Sequence, residues 1–170
     1  EKKMTKAMEG SADIVLIDLE DAVAPDNKAN ARPMVHDFIK AHPEQRHRLW
    51  VRINPFDGPY TLLDLAAVMP AHPGGIMLPK VYGRADVEKL DHCLSALEVA
   101  NGIEEGSTPV IVLITETAEA MFHTGDYKGA VLKVNIPRND VTVAVQGVLV
   151  PTPFGFGGWI AMTKGEHGVD

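Results

Sequence analysis

The sequence predicts an α/β fold built on parallel strands, an incomplete (β/α)8 TIM barrel, and three observations carry that expectation. Four short apolar runs recur every ~25–35 residues, the spacing of βα units. Stretches of helical periodicity separate them. Each run also ends in charge, at Asp18, Arg52, Lys80 and Glu116, and ligands of α/β folds bind at the C-terminal ends of parallel strands. A closed barrel takes about 250 residues, so the 170 residues here imply about four or five βα units plus an irregular tail. Residues 1–130 form the barrel portion in this reading, and 131–170 a divergent tail.

The chain opens in a helix. Met4, Ala7 and Met8 recur at helical spacing before Gly10, a C-cap residue. In the first strand, Ile14-Val15-Leu16-Ile17 is four consecutive aliphatics, three of them β-branched, which reads as a strand buried on both faces. Pro25-Asp26 then starts a helix that runs to about Ala41, with Asp26 as N-cap and Pro33 as a kink or a delayed start. The second strand, Leu49 to Pro55, alternates. Leu49, Val51 and Ile53 face one way, and Trp50, Arg52 and Asn54 the other. A short helix over Leu62–Val68 leads to the third strand, Gly75 to Lys80. Arg84 to Ala100 is the clearest amphipathic helix, with Val87, Leu90, Leu94, Leu97 and Ala100 as its buried stripe. The fourth strand runs from Pro109 to Glu116, with Glu116 in register with Val110, Val112 and Ile114, and a helix follows from Thr117 or Ala118.

Beyond Ala130 the pattern changes. Val131–Val134 and Val141–Val150 read as strands with a turn at Gln146-Gly147, and no helical stretch separates them. Pro151 to Trp159 reads as a loop. Its glycine spacing is not that of a dinucleotide fingerprint.

Composition narrows the partners. A net charge of −7 argues against nucleic acid, which needs a basic surface. No apolar run approaches the roughly 20 residues that span a bilayer, and no signal peptide precedes the first strand. The expectation is a cytoplasmic protein with no membrane partner. The single cysteine, Cys93, falls in a helical pattern as a small hydrophobe. None of His36, His42, His47, His72, His92, His123 and His167 has metal-ligand spacing.

The chemistry concentrates where the first strand ends. Asp18, Glu20 and Asp21 place three carboxylates within four residues, a cluster that repels itself unless a cation or basic side chains stand opposite. On residue type alone, Arg52 suits either a substrate carboxylate or an ion pair with this cluster. Glu116 is either a ligand or a carboxylate interacting with the macrodipole of a helix start. Lys80 is read as structural.

The run Ala12 to Pro25, with Lys28 and Ala31-Arg32 after it, resembles the citrate lyase β-subunit-like group of the HpcH/HpaI aldolase superfamily. Val51-Arg52-Ile53-Asn54, Leu78-Pro79-Lys80 and Thr115-Glu116-Thr117-Ala118 are similar to that group's later motifs, in the same order. The resemblance covers roughly Lys2 to Gly129. It implies a TIM barrel that cleaves or forms carbon–carbon bonds in 3-hydroxyacyl-CoA thioesters such as citryl-, citramalyl- or malyl-CoA. The cofactor it implies is Mg2+, with Mn2+ as substitute, and the assembly a homo-oligomer, trimeric or hexameric. By the same resemblance Glu116 is the metal ligand, and Arg52 binds the substrate carboxylate or the enolate oxygen. Glu20 and Asp21 surround the metal's water shell, Asp18 belongs to their motif, and Lys80 is carried over as a substrate-binding position.

Two departures from the family pattern accompany the match. The opening strand is missing, and the second metal carboxylate, due about one βα unit after Glu116, has no clear counterpart. Asp140 stands near that distance in a run, Arg138-Asn139-Asp140-Val141-Thr142, that does not resemble the motif. An aldolase acting on free 2-keto acids and a catalytically inactive fragment are the alternatives, and little or no turnover by the chain as given is expected.

Overall fold

A computed structural model describes residues 2–122, 146–152 and 155–161. The chain forms two compact units, Glu1–Val134 and Asn135–Asp170.

The first unit carries a parallel sheet in which strands follow one another in sequence order: β1 (Val15–Asp18), β2 (Leu49–Arg52), β3 (Gly75–Leu78) and β4 (Val110–Val112). Helix α1 (Lys2–Met8) precedes β1, and α2 (Lys28–Ala41), α3 (Thr61–Val68) and α4 (Arg84–Ala100) make the crossovers. Helix α5 (Ala118–Phe122) follows β4. These are four consecutive βα units, the repeat expected of a (β/α)8 barrel.

Alternation along β2 decides where the core lies. Leu49, Val51 and Ile53 are fully buried against the helices, in one cluster with Ile76 and Leu78 of β3, Phe38 and Ile39 of α2, Leu65 of α3 and Leu90 of α4. The other face carries Leu16, Trp50 and Met77. Trp50 pairs in register with Leu16 on one side and Gly75 on the other. Gly75 is required there, because a Cβ would stand 2.5 Å from the Trp50 ring.

The structure corrects several local expectations. Strand β1 is buried on one face only: Val15 and Ile17 are in the core, while Leu16 is 39% exposed, since β1 is the edge of the four-stranded sheet. Pro25–Asn27 forms a 3-10 turn, so Asp26 is not the cap and α2 begins at Lys28. Pro33 sits inside α2, where it removes one backbone donor. The α4 stripe holds at Val87, Leu90 and Leu94, but Ala100 is exposed. Glu98 takes the buried place, because its carboxylate accepts the N–H of Gly106 at 2.6 Å and of Thr108 at 2.8 Å, tying down the loop to β4. Strand β3 ends at Leu78, and β4 ends at Val112 with one further ladder bond from Leu113 N–H to the Leu78 carbonyl. Glu116 is therefore not in strand register; it lies beyond a turn.

In the second unit, β5 (Gln146–Thr152) and β6 (Gly155–Ala161) form an antiparallel pair with Thr152 opposite Gly155. Gln146-Gly147 is thus strand rather than turn, and the run expected to be a loop supplies most of β6. Valine, tryptophan and isoleucine favour a pleated ladder, and backbone pairing accommodates the glycines between them. The expected strand Val131–Val134 and the candidate Asp140 lie outside the described residues.

Adding a methyl at Gly75 forces Trp50 to move. Gly75→Ala is expected to lower the unfolding free energy by about 1–3 kcal/mol, read by urea titration. An unchanged midpoint and slope would show that Trp50 does not pack as described.

Candidate functional site

Parallel pairing sets Asp18 directly across from Arg52, each the last residue of its strand. The guanidinium meets the carboxylate as a fork, Nε to Oδ1 at 2.9 Å and Nη2 to Oδ2 at 2.5 Å, the bidentate geometry that makes such pairs strong. Asp18 also accepts the N–H of Glu20 at 2.8 Å and of Ala22 at 3.1 Å. One side chain thus folds the acidic loop back over the strand end.

That loop delivers Glu20 into a closed position. Its side chain is 3% exposed, with Oε2 3.0 Å from Arg52 Nη1 and Oε1 2.6 Å from Lys80 Nζ. Neither oxygen meets its cation in good hydrogen-bond alignment, so both contacts are close ion pairs. Lys80 Nζ also stands 3.4 Å from Asp21 Oδ1. The Lys80 amide donates to Glu116 Oε2 at 3.0 Å. Lys80 has φ of 48°, a left-handed conformation uncommon for a residue with a side chain. Next to it, Thr117 Oγ1 donates to the Val81 carbonyl and accepts the Ala120 N–H, fixing the start of α5.

The structure therefore brings Asp18, Glu20, Asp21, Arg52, Lys80 and Glu116 together on one rim of the sheet. Arg52 makes the ion pair with the acidic cluster. The pair does not exhaust the side chain, since a guanidinium has five N–H donors and two of them are committed to Asp18.

A second tier of buried polar groups supports the rim. Lys28 Nζ donates to the carbonyls of Leu19 and Glu20, both at 2.9 Å, and Asn54 Nδ2 donates to the Leu19 carbonyl at 2.9 Å. Asp64, fully buried, receives Asn54 N–H at 2.8 Å, Asn54 Nδ2 at 2.6 Å and Arg32 Nε at 2.7 Å. The Tyr60 ring lies beneath both cations, 5.4 Å from Lys28 Nζ and 5.7 Å from Arg32 Cζ. Residue-by-residue reading assigned no role to Lys28, Asp64 or Tyr60. The available signal was one aspartate in the otherwise apolar Leu62 to Val68 stretch, and a lysine and an arginine four apart after the acidic motif.

Electrostatics differ between neighbouring carboxylates. Burial pushes the Asp18 carboxyl up, but the Arg52 fork and the two backbone N–H groups outweigh it, so its pKa lies below the ordinary 3.8. Burial dominates at Glu20, raising its pKa above 4.5 despite Lys80 and Arg52. The Glu20 contact raises the Lys80 pKa, outweighing burial. Among the described residues no group of three or more Asp, Glu, His or Cys side chains surrounds a single point. The donors present are nonetheless carboxylate oxygens, those of Glu20 lack aligned partners, and Mg2+ needs only one or two carboxylates beside water and substrate. The residues fit a hard divalent ion, with Glu116, Glu20 and Asp21 as those that could hold it.

A depressed pKa means that Asp18 stabilises the fold above its unfolded value and that this contribution is lost as pH falls through its lower folded value. Glu20 has the opposite sign, its protonation favouring the fold as pH falls. Asp18→Asn is expected to be less stable than wild type at neutral pH, with the gap closing well below pH 3.8. Urea unfolding across that range checks this, and a gap independent of pH would contradict the Asp18–Arg52 assignment.

Comparison with known proteins agrees with this architecture. The HpcH/HpaI aldolase/citrate lyase family model matches residues 1–126. The citrate lyase subunit beta of Haemophilus influenzae is 38% identical over 103 residues, 60% of this chain and 35% of the relative. The malyl-CoA/beta-methylmalyl-CoA/citramalyl-CoA lyase of Chloroflexus aurantiacus is 33% identical over 122 residues, 69% of this chain and 34% of the relative. The chain thus spans about a third of the length of these curated relatives. The Mycobacterium tuberculosis CitE protein, solved with magnesium and pyruvate, superimposes with a TM-score of 0.57 at 29% identity, over 76% of this chain and 45% of that one. The strand-end site and its parallel βα units are those of a chain that belongs to the HpcH/HpaI aldolase/citrate lyase family.

Proposed function

We propose that the chain carries part of the site of a divalent-metal-dependent carbon–carbon lyase acting on 3-hydroxyacyl-CoA thioesters of the citryl-, citramalyl- or malyl-CoA class. The observation that carries this reading is the continuous chain of contacts from Asp18 through Arg52, Glu20 and Lys80 to Glu116. Relatives named as citrate lyase beta and malyl-CoA lyases support the thioester class over free 2-keto acids.

Cleaving such a thioester removes the 3-hydroxyl proton and breaks the adjacent carbon–carbon bond, giving a carbonyl product and an enolate that then takes up a proton, so negative charge grows on oxygen. Arg52 is positioned by Asp18 at the strand end, and its remaining N–H donors are available to a substrate carboxylate or to that oxygen. The fork prevents it from swinging away, so little reorganisation is needed when charge develops. Glu20 and Asp21 keep the rim anionic, and the second tier holds the Glu20 backbone in place. Glu116 would hold a divalent ion, with Glu20 and Asp21 around its water shell, and the ion would supply Lewis-acid polarisation of the substrate oxygens. The same reading carries a cytoplasmic homo-oligomer, trimeric or hexameric. Among the described residues no helix is long and apolar enough to cross a membrane.

One observation favours a second, non-catalytic reading: Arg52 and Lys80 already neutralise the acidic loop without any ion. Two measurements separate the readings. Calorimetry with Mn2+ is expected to show binding that falls at least about tenfold in Glu116→Gln, the loss of one anionic ligand. Acetyl-CoA release from malyl-CoA is expected to be weak, abolished by EDTA, and lowered by about 10²–10³ in Arg52→Ala, as when an oxyanion donor is removed. Identical isotherms for wild type and Glu116→Gln with no EDTA-sensitive turnover would leave only the second reading, and turnover indifferent to Arg52 would remove Arg52 from the reaction.

A further inference from the structure

We propose that Lys80 is the site's own counter-cation: its ammonium stands against Glu20 and Asp21 where a divalent ion's shell forms, and gives way when that ion binds. This rests on the reading of the rim as a metal site. Three separate features of Lys80 carry it.

The first is the kind of contact. Nζ lies 2.6 Å from Glu20 Oε1 and 3.4 Å from Asp21 Oδ1, yet neither Glu20 oxygen has an aligned donor. An ammonium is a compact point charge on a flexible stem. Bound to Asp21 by one long hydrogen bond and to Glu20 as a close ion pair, it can be exchanged for another cation, and a divalent ion offers the carboxylates more charge. The Arg52 fork on Asp18 cannot exchange in this way without breaking two aligned bonds.

The second is access. The Lys80 side chain is 38% exposed, while Glu20 is 3% exposed. Lys80 can return its charge to water, whereas Glu20 stays buried and must keep a cation beside it. The exchange is therefore asymmetric, with the lysine as the partner that leaves.

The third is the backbone. With φ of 48°, Lys80 departs from the path of β3, its amide meeting Glu116 Oε2 at 3.0 Å while its side chain reaches Glu20. Left-handed backbone in a residue other than glycine persists where surrounding structure enforces it, often at functional sites. The amide contact does not depend on where the ammonium lies, so Glu116 stays oriented when Nζ departs.

The test is Mn2+ calorimetry on wild type, Lys80→Met, Lys80→Gly, Lys80→Arg and the double variant Lys80→Met/Glu116→Gln, with circular dichroism confirming that each is folded. Lys80→Met keeps the stem and removes the charge; Lys80→Gly also relieves the backbone. Both are expected to bind Mn2+ about tenfold or more tighter than wild type, because a like charge beside the ion has been removed. Lys80→Arg, which keeps the charge, should bind no more tightly than wild type, and the double variant should lose the gain. Wild-type binding with equal or weaker affinity in Lys80→Met overturns the counter-cation role and leaves the metal reading standing. Tight binding that survives in the double variant places the ion elsewhere and also overturns it. No binding by any variant overturns both.

Discussion

The Asp18–Arg52 fork is the interaction on which the rest of the site depends. It exists because β1 and β2 run parallel and in register, so that two strand-terminal residues of opposite charge face each other. Asp18 then uses its remaining lone pairs on the N–H groups of Glu20 and Ala22. This turns the acidic loop inward and buries Glu20. A buried carboxylate needs cations nearby, and Arg52 and Lys80 supply them from β2 and the segment after β3. Through the Lys80 amide the chain of contacts reaches Glu116 beyond β4. Each step uses a strand further along the sheet, which a sheet in sequence order allows.

Beneath this rim, Lys28 is a buried ammonium held by two carbonyls and an aromatic face. Asp64, itself fully buried, gathers Asn54 and Arg32 below the acidic loop. These groups hold the backbone of Leu19 and Glu20 from below while the Asp18 fork holds it from above. The Glu20 carboxylate is thus presented on a constrained backbone, the condition under which charged groups are pre-organised rather than reorganised during a reaction. The rim is stiff at Asp18 and Arg52 and exchangeable at Lys80.

Much of this was legible in the sequence. The four apolar runs, their order and their charged ends follow from local pattern, and α4 spans the expected Arg84–Ala100. Other features depend on tertiary contacts that no local pattern encodes. Glu98 breaks the apolar stripe of α4 because the loop that follows the helix folds back and offers it two N–H groups. Glu116 alternates like a strand residue, yet the ladder ends before it, and its place is set by the Lys80 amide. The left-handed turn at Lys80 is invisible in a residue type that rarely adopts it. Leu16 belongs to an aliphatic run, but whether its face is covered depends on what packs there. The β5–β6 pair was obscured by glycines and prolines that signal turns more often than ladders.

The central claim is that four parallel strand ends form one cation site anchored at Glu116. Crystals of the protein soaked with Mn2+ and measured at the manganese edge test it most directly. The account requires an anomalous peak bonded to a Glu116 carboxylate oxygen, with Arg52 still forked on Asp18 and Lys80 Nζ withdrawn from Glu20. A peak away from Glu116, no peak at all, or a manganese ion that displaces Arg52 from Asp18 while Lys80 stays in place would contradict it.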